Sequence, residues 1–128
     1  VSRFDKYDPY DGGFRARLNA ALTSANVGKI YAVSVNASGR VVIGGTGLVD
    51  IRGLIVPTEP MAIGAAIDVM TDGEIAEALT TGGVALTAGL QYCHIDGTVD
   101  SASASGKAIG FTVELSRIIV RVPTTQAA

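Results

Sequence analysis

The sequence predicts a mainly β protein: a small β barrel with an extended N-terminal arm and at most one or two short helical turns. Three observations point there. First, from Ala62 to Val122 apolar residues recur at the every-second-residue spacing that sets side chains on one face of a strand, as in Ile67 and Val69, Leu90 and Tyr92, Ile109, Phe111 and Val113, and Ile118, Val120 and Val122. Second, these runs are divided by Thr71-Asp72-Gly73, Gly82-Gly83, Asp96-Gly97 and Ser105-Gly106, where a chain can turn tightly. Third, glycine makes up 16 of the 128 residues and tryptophan none, which suits many tight turns joining short strands.

In chain order, residues 1–17 form the arm, 18–123 a single β-rich domain, and 124–128 a short polar tail. The arm holds four of the seven aromatics, Phe4, Tyr7, Tyr10 and Phe14. Their spacing of three, three and four would suit a helix. Pro9, however, disfavours the α conformation at Asp8, and Gly12-Gly13 loosens the backbone, so an extended or polyproline-like path is expected. Ordering so many backbones costs more than burying four rings contributes, so the arm is expected to order only on a partner that adds hydrogen bonds and buried surface. The competing readings are a frayed terminus and a nucleic-acid arm. Four basic residues against Asp5, Asp8 and Asp11 leave the arm only +1, which weakens the second.

Leu18 to Val27 permits a helical turn or two, with Leu18, Ala21 and Leu22 on one side. Ile30 to Val35 reads as a strand, Asn36 to Gly39 as its turn and Arg40 to Ile43 as the hairpin partner. Gly44-Gly45-Thr46-Gly47 invites a phosphate-loop reading, but it lacks the lysine ending and a following helix, so a bend at a barrel corner is expected. Leu48 to Val56 is the next apolar stretch, closed by Pro57 and Pro60. Ala66 to Met70, the Thr71-Asp72-Gly73 turn and Glu74 to Ala78 read as the clearest hairpin of the chain. Gly89 to Ile95 leads into a second hairpin at Asp96-Gly97, and Asp100 to Lys107 is a surface loop. Ala108 to Glu114 and Ile118 to Val122 close the sheet.

Charge and composition narrow the functional classes. A formal charge of −2 and an isoelectric point near 5.2 argue against general affinity for nucleic acid or an anionic membrane. No apolar run approaches the length of a membrane span, and the N-terminus has no apolar signal core. Cys93 and His94 are single residues of their type, adjacent on an expected strand, so their side chains face opposite ways and make no nucleophile and base pair. One His and one Cys supply no closed metal site. Asp68, Asp72, Glu74 and Glu77 cluster around the expected hairpin without a partner base, and Ser101, Ser103 and Ser105 lack an activating context. The expectation is no enzyme, no cofactor and no metal.

The stretches PMAIGAAIDVMTDGEIAE, GGVALTAGLQYCHIDGTVDSASASGKAIGFTVE and IIVRV together resemble the small capsid decoration, or cement, proteins of tailed bacteriophages. FDKYDPYDGGFRARL resembles the arms of the actinobacterial phage versions; Leu18 to Arg52 carries none of the shared pattern. The resemblance implies a β-tulip-like barrel, synthesised in the host cytoplasm and assembled as a homotrimer on the outer surface of an icosahedral head. It also implies an arm that adds to a sheet edge of the major capsid protein, with Phe4, Tyr7, Tyr10, Phe14 and Arg15 as partner-binding residues. Two other classes remain open from the residues alone: a β-rich binding module of a phage tail, spike or surface adhesin, using loops Asn36 to Gly39 and Asp100 to Lys107, and a trimeric hydrolase with Asp68 or Asp96 as base.

Overall fold

Ile30, Ala32 and Ser34 on one side and Tyr31 and Val33 on the other are all buried, so the second strand of the protein has no solvent face. That run is a wall shared by two cores, and the computed structural model, which describes residues 13–113 and 117–122, shows both. One core lies inside a closed five-stranded barrel. The other lies between that barrel and a second five-stranded sheet.

The barrel is built from β1 (Gly13–Leu18), β2 (Tyr31–Val35), β3 (Arg40–Ile43), β4 (Gly53–Ile55) and β5 (Ala66–Met70), in the order β1-β3-β2-β4-β5. β1 runs parallel to β3, and the other pairs are antiparallel. The β2–β3 hairpin forms where the sequence predicts it. Asn36 holds the turn: its side-chain oxygen accepts from the amides of Ser38 and Arg40, each at 3.0 Å, an Asx arrangement that fixes the reversal locally. Leu18, Tyr31, Val33, Val41, Ile55, Ile67 and Val69 fill the interior. The helical turn expected over Leu18 to Val27 shrinks to a single 3-10 turn, Ser24–Asn26, because Leu18 completes β1 and Leu22 bridges to Met61; Leu18 and Leu22 are buried, and Ala21 is exposed.

The second sheet holds β6 (Asp72–Ala76), β7 (Gly89–Cys93), β8 (Val99–Asp100), β9 (Lys107–Val113) and β10 (Arg117–Arg121), in the antiparallel order β6-β10-β9-β7-β8. Cys93, Val99, Ile109, Ile118 and Val120 of this sheet, with Leu86 of the connection between β6 and β7, pack against Ile30, Ala32, Ile51 and Leu54 on the barrel side. Backbone bonds stitch the two layers. The Ala32 amide donates to the Gly97 carbonyl at 2.9 Å, Gly45 donates to Ile95 at 2.9 Å, and Ile30 donates to Leu79 at 2.9 Å.

Two expectations are corrected here. The hairpin predicted around Thr71-Asp72-Gly73 does not exist: β5 pairs with β1 and β4, and β6 pairs with β10. Thr71 is a corner at which the chain leaves the barrel for the second sheet, and its carbonyl accepts the Val122 amide at 2.9 Å. The alternating apolar residues on either side serve different cores, Ile67 and Val69 the barrel and Ile75 the inter-layer core. Likewise the arm boundary at Arg17 moves, since Gly13 to Arg17 belong to β1, held by β5 in register from Gly13↔Met70 to Arg17↔Ala66.

A third correction concerns which residues are inside. Gln91 lies opposite Gly110, but Tyr92 lies opposite Ala108, so Ile109 is an extra residue on β9 and reverses its side-chain parity. Ile109 and Thr112 therefore point inward while Phe111 stands 48% exposed, and on β7 Gln91 and Cys93 are buried while Leu90 is 54% exposed. Gly110 is required at this place, because a Cβ there would strike the Ile119 carbonyl of β10.

Candidate partner-binding site

Of the five residues singled out for partner binding, Phe4, Tyr7 and Tyr10 lie outside the described residues. Phe14 and Arg15 are on β1, and the pleat sends them to opposite sides. Phe14 packs against the barrel core with Ala16, so it serves the fold and does not stand free as a pocket-filling anchor. Arg15 faces outward opposite Asp68, its Nε donating to Asp68 Oδ1 at 2.8 Å. Hydrogen bonding and the arginine charge hold the Asp68 carboxyl below the usual carboxylate range and push the guanidinium up. Both side chains are exposed, so water screens the pair. Arg15→Ala is expected to leave the midpoint of thermal unfolding essentially unchanged, which a melting curve checks.

Arg15 and Asp68 stand at the rim of a cleft of about 830 Å³. Gly13 to Arg15 and Asp68 to Met70 form one wall, Glu74 to Ala76 the other, and Leu54, Val56 and Thr58 also line it. The cleft lies where the barrel and the second sheet diverge at the Thr71 corner. No sequence signal marks it, because the false hairpin reading hides the parting of β5 from β6. Three of the four acidic residues around that corner are set against an arginine on an adjacent strand: Asp68 with Arg15, Glu74 with Arg117 at 3.3 Å, and Asp72 with Arg121 at 3.8 Å. They are divided between two sheets and do not converge on a reacting position.

The remaining candidates are also placed. Cys93 is fully buried, and burial pushes its thiol up. His94 turns away and its Nε2 lies 2.8 Å from Asp100 Oδ1. Asp96 lies in the turn, where hydrogen bonds from the Thr98 amide and hydroxyl hold its carboxyl down. Gly44 to Gly47 leads out of β3 into a 3-10 turn, Leu48–Asp50, too short to present a helix N-terminus to an anion. There the Thr46 hydroxyl bonds the Asp50 carboxylate, lowering its pKa. Among the described residues no three His, Cys, Asp or Glu side chains are grouped to hold a metal.

The sequence reading missed Lys107. It is opposite Cys93 on β9, only 2% exposed, and its Nζ donates across the layers to the carbonyls of Leu48 at 3.3 Å and Ile51 at 3.4 Å. Burial disfavours the ammonium, so its folded-state pKa lies below the ordinary 10.5. The folded chain gives up that proton more readily than the unfolded one. Its contribution to stability is therefore lowest below the depressed pKa and rises with pH up to the ordinary lysine value. Lys107→Met, which keeps the volume and removes the charge, is expected to be at least as stable as the wild type at pH 7. Its advantage shrinks as pH rises towards 10.5, which urea unfolding of both proteins across that range measures.

The fold defines a class: a closed five-stranded barrel joined at one corner to an antiparallel sheet, with an inter-layer core and an open cleft beside the corner. A solved structure from Mycobacterium phage Patience contains a chain with the same fold, at a TM-score of 0.74 and 19% sequence identity, over 94% of this chain and 95% of that one. No family model and no curated protein matches the sequence.

Proposed function

We propose that this chain is a bacteriophage structural protein that decorates the outside of an icosahedral head as a homotrimer, with the N-terminal arm gripping the major capsid protein. The observation that carries this reading is the fold shared, nearly end to end, with a chain from Mycobacterium phage Patience. The sequence resemblance to phage decoration proteins points the same way. With Gly13 to Leu18 fixed in the barrel, the gripping segment narrows to residues 1–12, and Phe4, Tyr7 and Tyr10 are its anchors. Three copies tied to one body raise one another's effective concentration at the shell, so weak single contacts become durable.

The exposed face of the second sheet supports self-association. Leu90 and Phe111 are opposite each other on β7 and β9, Phe111 is opposite Ile119 on β10, and Leu90 and Phe111 are about half exposed. Such a cross-strand apolar row is the kind of surface that a subunit contact covers. Leu90→Asp combined with Phe111→Asp is expected to give a folded monomer by light scattering, because neither side chain belongs to a core.

The direct test is saturable binding of the purified full chain to undecorated heads. The chain carrying Phe4→Ser, Tyr7→Ser and Tyr10→Ser should bind at least about 100-fold more weakly, as losing several buried aromatic anchors implies. Equal binding by both forms removes the arm from the mechanism. Absence of binding by either turns attention to a tail, spike or adhesin module contacting its target through exposed loops.

A further inference from the structure

We propose that Arg17 and Arg40, with Ile63 beside them, form a docking patch on the outside of the barrel for an acidic segment of a partner protein, one that carries carboxylates next to an apolar side chain. The two arginines are register partners on the adjacent parallel strands β1 and β3, so their backbones run about 4.8 Å apart. The residues that follow them, Leu18 and Val41, are buried in the barrel core, and strand alternation therefore sends Arg17 and Arg40 outward. Their guanidinium groups meet at one glycine. Arg17 Nη1 donates to the Gly64 carbonyl at 2.8 Å, and Arg40 Nη1 donates to the Leu18 carbonyl at 3.1 Å, which also accepts the Gly64 amide at 3.0 Å. A Cβ built on Gly64 would lie 3.5 Å from Arg40 Nη1, so the second guanidinium passes beside the residue that the first one grips.

The pair stands out by its lack of counter-charge. Arg15, Arg117 and Arg121 each face a carboxylate on an adjacent strand, and Arg52 is near enough to Asp50 to help hold its carboxyl down. Among the described residues no carboxylate pairs with Arg17 or Arg40. A guanidinium has five N–H donors, and each of these two commits one to a backbone carbonyl. Like charges side by side on neighbouring strands work against folding, yet a chain of net charge −2 sets two cations together here. The backbone carbonyls also fix both guanidinium planes before any partner arrives, the preorganisation that carboxylate recognition by arginine exploits. Ile63, the residue before Gly64, is 66% exposed and gives the patch its apolar member. Two cations beside one aliphatic side chain suit a short acidic protein segment. A nucleic-acid strand calls for a longer basic row, against which the acidic balance of the chain argues. This inference does not rest on the capsid reading. On a head, the patch would be a contact made by the rigid barrel, separate from the arm.

NMR titration of the full chain at low ionic strength tests it, read on the Arg17 and Arg40 Nε–H signals and the Gly64 amide. The peptide acetyl-Glu-Glu-Leu-amide should shift all three saturably and bind at least about tenfold more tightly than acetyl-Gln-Gln-Leu-amide, the difference shrinking between about 20 and 150 mM salt as screening sets in. The chain carrying Arg17→Gln and Arg40→Gln should lose that preference while its Leu18 and Val41 amide signals report an intact barrel. Arg121→Gln, which removes an exposed arginine set against Asp72, should keep it. Equal affinity of the unmodified chain for the two peptides overturns the proposal. A loss in Arg121→Gln as large as in the double variant assigns the effect to diffuse charge and overturns it too. Tighter binding of a short oligothymidylate than of the glutamate peptide assigns the patch to phosphate and overturns it equally.

Discussion

Gly97→Ala is expected to lower the unfolding free energy by about 2–5 kcal/mol, from the strain of a side chain at positive φ plus overpacking. The hairpin tip between β7 and β8 takes φ +93° at Gly97 and is pressed against the barrel wall. A Cβ there would lie 2.8 Å from the Gly44 nitrogen and 3.0 Å from the Ala32 oxygen, with the Ile43 side chain closer still. None of the backbone can yield cheaply, because the Gly97 carbonyl accepts the Ala32 amide and the Ala32 carbonyl accepts the Gly44 amide at 2.8 Å. Gly39 is the control. It has φ +79° in the β2–β3 turn and nothing within 4 Å of a built Cβ, so Gly39→Ala should cost only the backbone strain, about 1–2 kcal/mol. Chemical denaturation of both variants separates the two effects. Equal losses would show that the tip is not wedged into the barrel wall.

The same tip shows what the sequence discloses. Asp96-Gly97 reads as a turn because the residue types demand it, and the turn is there. Asn36 to Gly39 is legible for the same reason, and so are the β9 and β10 strands, whose pairing spans a short gap. Each of these depends on chemistry within a few residues. Illegible features depend on partners distant in sequence. Thr71-Asp72-Gly73 has turn chemistry, yet the strands on either side find β1 and β10, far away along the chain, and separate. Gly13 to Arg17 looks like a continuation of the aromatic arm until β5 claims it. The bulge at Ile109 shifts parity without any marker in composition, so Leu90 and Phe111 read as core and stand outside, whereas Gln91 and Lys107, polar in sequence, are buried. For the candidate site this means that Arg15 is locatable from sequence, while the cleft beside it exists only because β5 and β6 part.

Leu54→Ala is expected to cost about 2–5 kcal/mol and, with its neighbour, to reveal whether the two layers fold as one unit. Leu54 and Ile55 are consecutive on β4, both at most 1% exposed, and the pleat sends Leu54 into the inter-layer core and Ile55 into the barrel. Leu54 also stands opposite Met70, at the contact that closes the barrel between β4 and β5. A cavity at Leu54 therefore weakens the joint between layers as well as the barrel seam, whereas Ile55→Ala weakens the barrel interior alone. Because β2 and β4 are walls of both cores, neither core can empty while the other stays packed, and each variant should unfold in a single transition seen alike by tyrosine fluorescence and far-UV circular dichroism. Tyr31 lies in the barrel core and Tyr92 on the second sheet, so versions that keep only one of them, the other three tyrosines being changed to Phe, report on each layer in turn. If Leu54→Ala splits the transition while Ile55→Ala does not, the second sheet is a separately folding layer hinged at Thr71, and the cleft between β1 and β6 opens and closes with that hinge. A single transition in both variants shows that the barrel and the second sheet unfold as one unit, the joint at Leu54 included.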